Sequence, residues 1–166
     1  RGRWVLKSPE HAIAIEALAA QYHAARFVVT HRDPVVCATS TANMARAFAG
    51  TFAAPREGAE FGRLWTDLLV AMGDGLLAFR ARHGDERFVD VAYRDLVADP
   101  VATMHRISTA LGEELSAEAD AAMRDHVAVA VQHRYGRHDY DPSTLGIAPD
   151  VAERFAAYRA RFGEYL

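Results

Sequence analysis

Apolar positions along this chain alternate between two spacings. Short apolar runs at 4–7, 26–31 and 88–93 are too brief for helices and read as strands. Between them lie longer stretches with an apolar residue every three or four positions, the spacing of an amphipathic helix. A helix over about 9–23 places His11, Ile15, Leu18 and Tyr22 on one face. Another is predicted over about 34–48. A third, over about 60–83, carries a continuous stripe of Phe61, Leu64, Leu68, Met72, Leu76 and Phe79, with Gly73 and Gly75 as local weak points. Gly50 to Gly58, with Pro55 inside, reads as a loop. Asp99-Pro100 opens a helix that stops near Gly112, and Ser116 caps one reaching about 131. Residues 132–147 read as a long loop. The last helix starts at Pro149 and turns Phe155, Tyr158 and Phe162 inward.

Two of the strand ends share one grammar. Residues 4–11 read Trp-Val-Leu-Lys-Ser-Pro-Glu-His and residues 27–34 read Phe-Val-Val-Thr-His-Arg-Asp-Pro. Each is an apolar run, a cation, a capping residue and a proline. Ser8 and Asp33 suit N-caps, and Pro9 and Pro34 suit the first helical position, where no N–H is required. Strands alternating with helices imply a parallel sheet with right-handed crossovers. Ligands of such sheets bind at the carboxyl ends of the strands, where helix N-termini favour anions. Lys7 and Arg32 then stand at one sheet edge, a site for something with two anionic groups. Three strands are few for this fold, which suggests missing strands upstream.

Composition narrows the classes. The chain has 166 residues, 51% of them apolar, enough for one sizeable core. A net charge of −3 gives no global attraction to nucleic acid or to acidic membranes, so an anion site must be local. Cys37 is the lone cysteine, which excludes an internal disulfide framework, suits a reducing cytoplasm and reads as helix packing. No apolar run reaches membrane-spanning length, and no signal peptide is visible. The chain starts without methionine and its first predicted strand begins about three residues in, as expected of a segment of something longer.

Ser40 follows Arg32 by eight positions, one turn beyond Val36 on the helix capped by Asp33. A guanidinium beside a hydroxyl suits a terminal phosphate. Equally, Arg32 could pair with a carboxylate while Ser40 bonds the helix backbone.

LKSPEH, then ARFVVTHRDP followed by Ser40, then VAYRDLVADP, resembles the sulfotransferases that use 3′-phosphoadenosine 5′-phosphosulfate, in particular the bacterial branch with a Lys-Ser-Pro-x-His motif. The likeness runs along nearly the whole chain, to the Phe-x-x-Tyr-x-x-x-Phe helix at 155–162. It implies an α/β fold, a three-layer sandwich around a parallel sheet of the P-loop nucleoside triphosphate hydrolase type, incomplete at its N-terminal side, in a single domain over 1–166. Arg32 and Ser40 would hold the 3′-phosphate, since Arg-Asp-Pro…Ser is that family's motif for it. Tyr93 would lie near the adenine, or else cap the core at a strand end; Arg94 stands where the family usually carries an acid. Lys7 matches the lysine placed near the transferring sulfuryl group, where an ammonium stabilises spread negative charge; its plain alternative is an exposed strand-end lysine.

His11 is the candidate general base for the acceptor, or a structural residue on the face of Ile15 and Leu18. The cytosolic branch of the family has its base histidine where this chain has Pro9. In the loop at 132–140, His133, His138 and Asp139 match no metal-ligand spacing, so no metal is expected. Arg134 or Arg137 would close over the nucleotide, with His133 and Tyr135 loosely resembling family positions. His23, His83, His105 and His126 read as solvated.

The resemblance also implies a glycine-rich 5′-phosphosulfate loop, and none follows an apolar strand here. The chain is expected to carry the 3′ half-site alone and to be inactive by itself. The donor would be 3′-phosphoadenosine 5′-phosphosulfate and the acceptor a small molecule with a hydroxyl or amine, facing the segment 50–65, where Phe52, Phe61 and Trp65 are available, although aromatics at helical spacing are more often core. Neither nucleic acid nor a membrane is an expected partner, and an exposed sheet edge could allow self-association. Two other readings remain: a kinase-like transferase of similar fold, which would need a Mg²⁺-binding carboxylate at a strand end, and an inactive half-domain that binds a nucleotide or a partner.

Overall fold

A computed structural model of the chain describes residues 4–52, 57–130 and 141–166. Two parallel strands, β1 (Phe27–His31) and β2 (Phe88–Ala92), pair in register from Phe27 opposite Phe88 to His31 opposite Ala92. Seven α-helices accompany them among the described residues: α1 (Ile15–Gln21), α2 (Pro34–Phe52), α3 (Gly58–His83), α4 (Tyr93–Ala98), α5 (Pro100–Leu111), α6 (Ala117–Val129) and α7 (Ala156–Phe162). The order strand, helices, strand, helices is that of an α/β fold around a parallel sheet.

The capping grammar is realised at three helices. Asp33 Oδ1 accepts from the Val35 and Val36 amides at 2.9 and 3.2 Å, which starts α2 at Pro34. Asp99 accepts from the Ala102 amide and opens α5, which ends at Gly112 in the left-handed conformation. Ser116 accepts from the Ala119 amide and opens α6.

The expected strand at 4–7 does not form. Residues 4–8 are irregular and pair with no strand, leaving Trp4 and Val5 87% and 90% exposed. An apolar run becomes a strand only where another strand takes up its backbone groups, and the partner of β1 is β2. The predicted helix at 9–23 is also divided, into a 3₁₀ turn at Pro9–Ala12 and α1. Ser8 gives no side-chain cap; its hydroxyl donates to the Glu10 carboxylate. The short turn buries none of its residues, so no packing extends it into a longer helix.

Long α3 carries two cores. One joins Ile15 and Ala19 of α1 to Leu76, Phe79 and Phe162, with Phe27, Val29 and Phe88 of the sheet packed against them. The other joins Ala38 and Ala42 of α2 to Leu145, Ile147, Val151 and Phe155, flanked by Phe61, Trp65 and Leu69. Of the aromatics available to an acceptor in the segment 50–65, Phe61 and Trp65 take the core alternative and pack here.

The predicted α3 stripe holds at Leu76 and Phe79, but Leu64 is exposed. The side that is buried instead runs through Gly62 and Thr66. A Cβ at Gly62 would overlap the Leu145 carbonyl, so glycine lets the 3₁₀ turn Pro142–Leu145 sit directly on the helix backbone. The later part of the segment read as a loop is thus core, with Leu145 fully buried. The predicted last helix is a 3₁₀ stretch, Pro149–Phe155, followed by α7.

Candidate functional site

The register of the two strands sets the site. His31 lies opposite Ala92, so the residues that follow, Arg32 and Tyr93, leave the sheet side by side. The Arg32 guanidinium lies over the Tyr93 ring, 4.6 Å from its centroid. Tyr93 is the first residue of α4, not the last of a strand. Arg32 is exposed and, among the described residues, pairs with no carboxylate.

Around this pair opens a groove of about 460 Å³ at the carboxyl ends of both strands. Val36, Val97 and Ala98 give it apolar walls, and Tyr165 and Leu166 close one side. Arg94 holds that side in place, donating to the Leu166 carbonyl and, at 2.5 Å, to that of Glu164. Guanidinium, phenol ring and apolar wall together fit a phosphorylated aromatic ligand such as a nucleotide.

Ser40 is half-buried on α2 and does not line the groove. It stands four residues beyond Val36, which does, and so continues the same helix face. Its hydroxyl makes no hydrogen bond among the described residues; the backbone bond foreseen as an alternative is made instead by Thr39, to the Val35 carbonyl at 2.8 Å. Lys7 and His11 are not brought to the groove. Lys7 is exposed, His11 is half-buried, and both have the Glu10 carboxylate as an electrostatic neighbour. Arg134, like Arg137, His133 and Tyr135, lies outside the described residues. Among those described, no group of three or more His, Cys, Asp or Glu is placed to hold a metal ion. No described helix is long and apolar enough to cross a membrane.

Sequence reasoning missed the buried polar network beneath the groove. His31 is fully buried at the end of β1. Its Nε2 lies 2.7 Å from Asp90 Oδ1 and its Nδ1 2.6 Å from the Tyr158 hydroxyl. Arg80 donates to both Asp90 oxygens at 2.8 Å. Burial alone would raise the Asp90 pKa, but the hydrogen bonds from His31 and Arg80 outweigh it and hold the carboxyl well below its usual range. Burial pushes the Tyr158 phenol well above its ordinary value. Ionised Asp90 only accepts, so the His31 Nε2–H donates to it, while Nδ1 shares a hydrogen bond with the Tyr158 hydroxyl. The signal in the sequence was Asp90 itself, a carboxylate inside the apolar run Phe-Val-Asp-Val-Ala, which must find partners if buried.

The sulfotransferase family profile matches residues 1–117. The chain belongs to the sulfotransferase family. Its fold is similar to that of sulfotransferase STF9 from Mycobacterium avium, with 32% identity and a TM-score of 0.86 over 97% of this chain and 42% of that one. It is also similar to sulfotransferase STF1 from Mycobacterium tuberculosis H37Rv, with 33% identity and a TM-score of 0.79 over 93% and 40%. The chain therefore spans about two fifths of each of these proteins. No curated protein sequence matches it.

Proposed function

We propose that this chain carries the 3′-phosphate half-site of a sulfotransferase whose donor is 3′-phosphoadenosine 5′-phosphosulfate. One observation carries the reading: Arg32, free of any carboxylate among the described residues, lies over Tyr93 at the mouth of a groove at the strand ends. Arg32 would hold the 3′-phosphate, with Ser40 as a second donor along the same face of α2, and the Tyr93 ring would stack near the adenine. Arg134 is assigned to closing over the nucleotide, on the resemblance alone.

In the reaction, an acceptor hydroxyl or amine loses its proton to a base as its oxygen or nitrogen bonds to sulfur. The bond from sulfur to the phosphate oxygen breaks, and adenosine 3′,5′-bisphosphate leaves. Lys7 is the proposed cation for the transferring group and His11 the proposed base, on the Lys-Ser-Pro-x-His resemblance. The 166 residues contain no glycine-rich phosphate loop, so they are not expected to transfer sulfuryl groups by themselves.

Titration with adenosine 3′,5′-bisphosphate and with adenosine 5′-monophosphate tests the half-site. The bisphosphate should bind more tightly, and the difference should shrink with salt. Equal binding of the two would refute the assignment of Arg32 and Ser40.

A further inference from the structure

The two neighbours of Arg32 are each tied to α7, through consecutive residues. On one side, His31 Nδ1 is hydrogen-bonded to the Tyr158 hydroxyl, 2.6 Å away, and the ring stacks on Phe162 with centroids 4.3 Å apart. On the other side, Asp33 uses Oδ1 to cap α2 and Oδ2 to take a hydrogen bond from Arg159. Arg32 thus sits between two anchored residues while its own side chain makes no ion pair among the described residues. Neither Tyr158 nor Arg159 lines the groove.

We propose that Tyr158 and Arg159 of α7 are positioning residues for Arg32: they clamp His31 and Asp33 and so aim the guanidinium at the 3′-phosphate. The inference rests on the reading of Arg32 given above. A backbone held on both sides fixes where the Arg32 side chain starts, and the Tyr93 ring under the guanidinium restricts where it ends, so part of its ordering precedes the ligand. A groove wall alone would need neither anchor at these particular residues.

The clamp makes a prediction of opposite sign to simple electrostatics. Asp33→Asn keeps a good N-cap but weakens the tie to Arg159 and removes a negative charge from the groove. If charge alone matters, 3′-phosphate binding tightens; if the clamp matters, it weakens.

In the intact protein, binding of adenosine 3′,5′-bisphosphate and of adenosine 5′-monophosphate is measured for Asp33→Asn, Tyr158→Phe and Arg32→Ala. The first two variants should each lower the preference for the bisphosphate at least about fivefold, the low end of ordinary coupling between sites, with the monophosphate bound as before. A purely structural role would weaken both ligands alike. Should Tyr158→Phe not fold, the partly exposed Asp33–Arg159 pair still decides the matter. An unchanged or increased preference in Asp33→Asn, with the preference lost in Arg32→Ala, overturns the clamp and leaves the half-site standing. A preference that survives Arg32→Ala overturns both.

Discussion

Arg32 and Tyr93 are 61 positions apart in the chain, yet the guanidinium lies 4.6 Å from the ring centroid. Strand register alone brings them together, because each follows a member of the terminal pair His31 and Ala92. On the reading proposed here, Arg32→Ala should weaken adenosine 3′,5′-bisphosphate by roughly tenfold to a hundredfold, the range for a hydrogen bond to a charged group. Arg32→Lys should recover only part of this, since an ammonium keeps the charge but not the planar fork or the stacking. Calorimetric titration of the three proteins gives the order.

Tyr93 separates stacking from hydrogen bonding. Its proposed role is the ring face, so Tyr93→Phe should bind the bisphosphate nearly as well as the native protein. Tyr93→Ala removes the surface under Arg32 and should weaken binding by roughly two- to fivefold, consistent with about 0.5–1 kcal/mol for an exposed cation–π contact. If Tyr93→Phe is as weak as Tyr93→Ala, the hydroxyl and not the ring carries the contact.

Much of this was legible in the sequence wherever the signal was local. Asp33-Pro34, Asp99-Pro100 with Gly112, and Ser116 each mark a helix end that forms as read. Arg32 and Tyr93 each stand out by local motif, at a strand end before Asp-Pro and in Tyr-x-Asp-Leu, while their contact depends on strand register. The strand at 4–7 was misread because its apolar run satisfies the local pattern, whereas pairing depends on a neighbour the local pattern does not contain. His31, Asp90, Arg80 and Tyr158 have no common spacing. Their partnership follows from burying a carboxylate and an imidazole on adjacent strands, and only tertiary packing supplies Arg80 and Tyr158.

Asp90 should make stability depend on acid. Its carboxyl titrates below the unfolded value of about 3.9, so its stabilising contribution is complete above that pH. The contribution is lost as pH falls towards the folded value, because the unfolded chain then binds the extra proton. Asp90→Asn removes the carboxylate that takes two Arg80 hydrogen bonds and leaves Arg80 paired with exposed Asp85 alone, which should cost about 1–3 kcal/mol near neutral pH. Urea unfolding at pH 7 and at pH 3 should show a smaller loss on acidification in the variant than in the native protein. Equal acid slopes would place the sensitivity in other carboxylates.

Two glycines of α3 should respond to alanine with opposite signs. Gly62 lies against the Leu145 backbone, and a methyl group there meets a carbonyl that belongs to a buried turn. The turn cannot retreat without pulling fully buried Leu145 out of the core, so Gly62→Ala should destabilise by about 1–3 kcal/mol or more. At Gly75 a methyl group would lie 3.7 Å from the Ala12 carbonyl oxygen, an ordinary contact. Only the helix preference then remains, and Gly75→Ala should stabilise by roughly 0.5–1 kcal/mol. For a chain of this size each kcal/mol moves the melting temperature by about 2–4 °C, so thermal melts resolve both changes. If Gly62→Ala melts at or above the native temperature, the 142–147 turn does not rest on α3 in solution, and the second core loses Leu145 and Ile147.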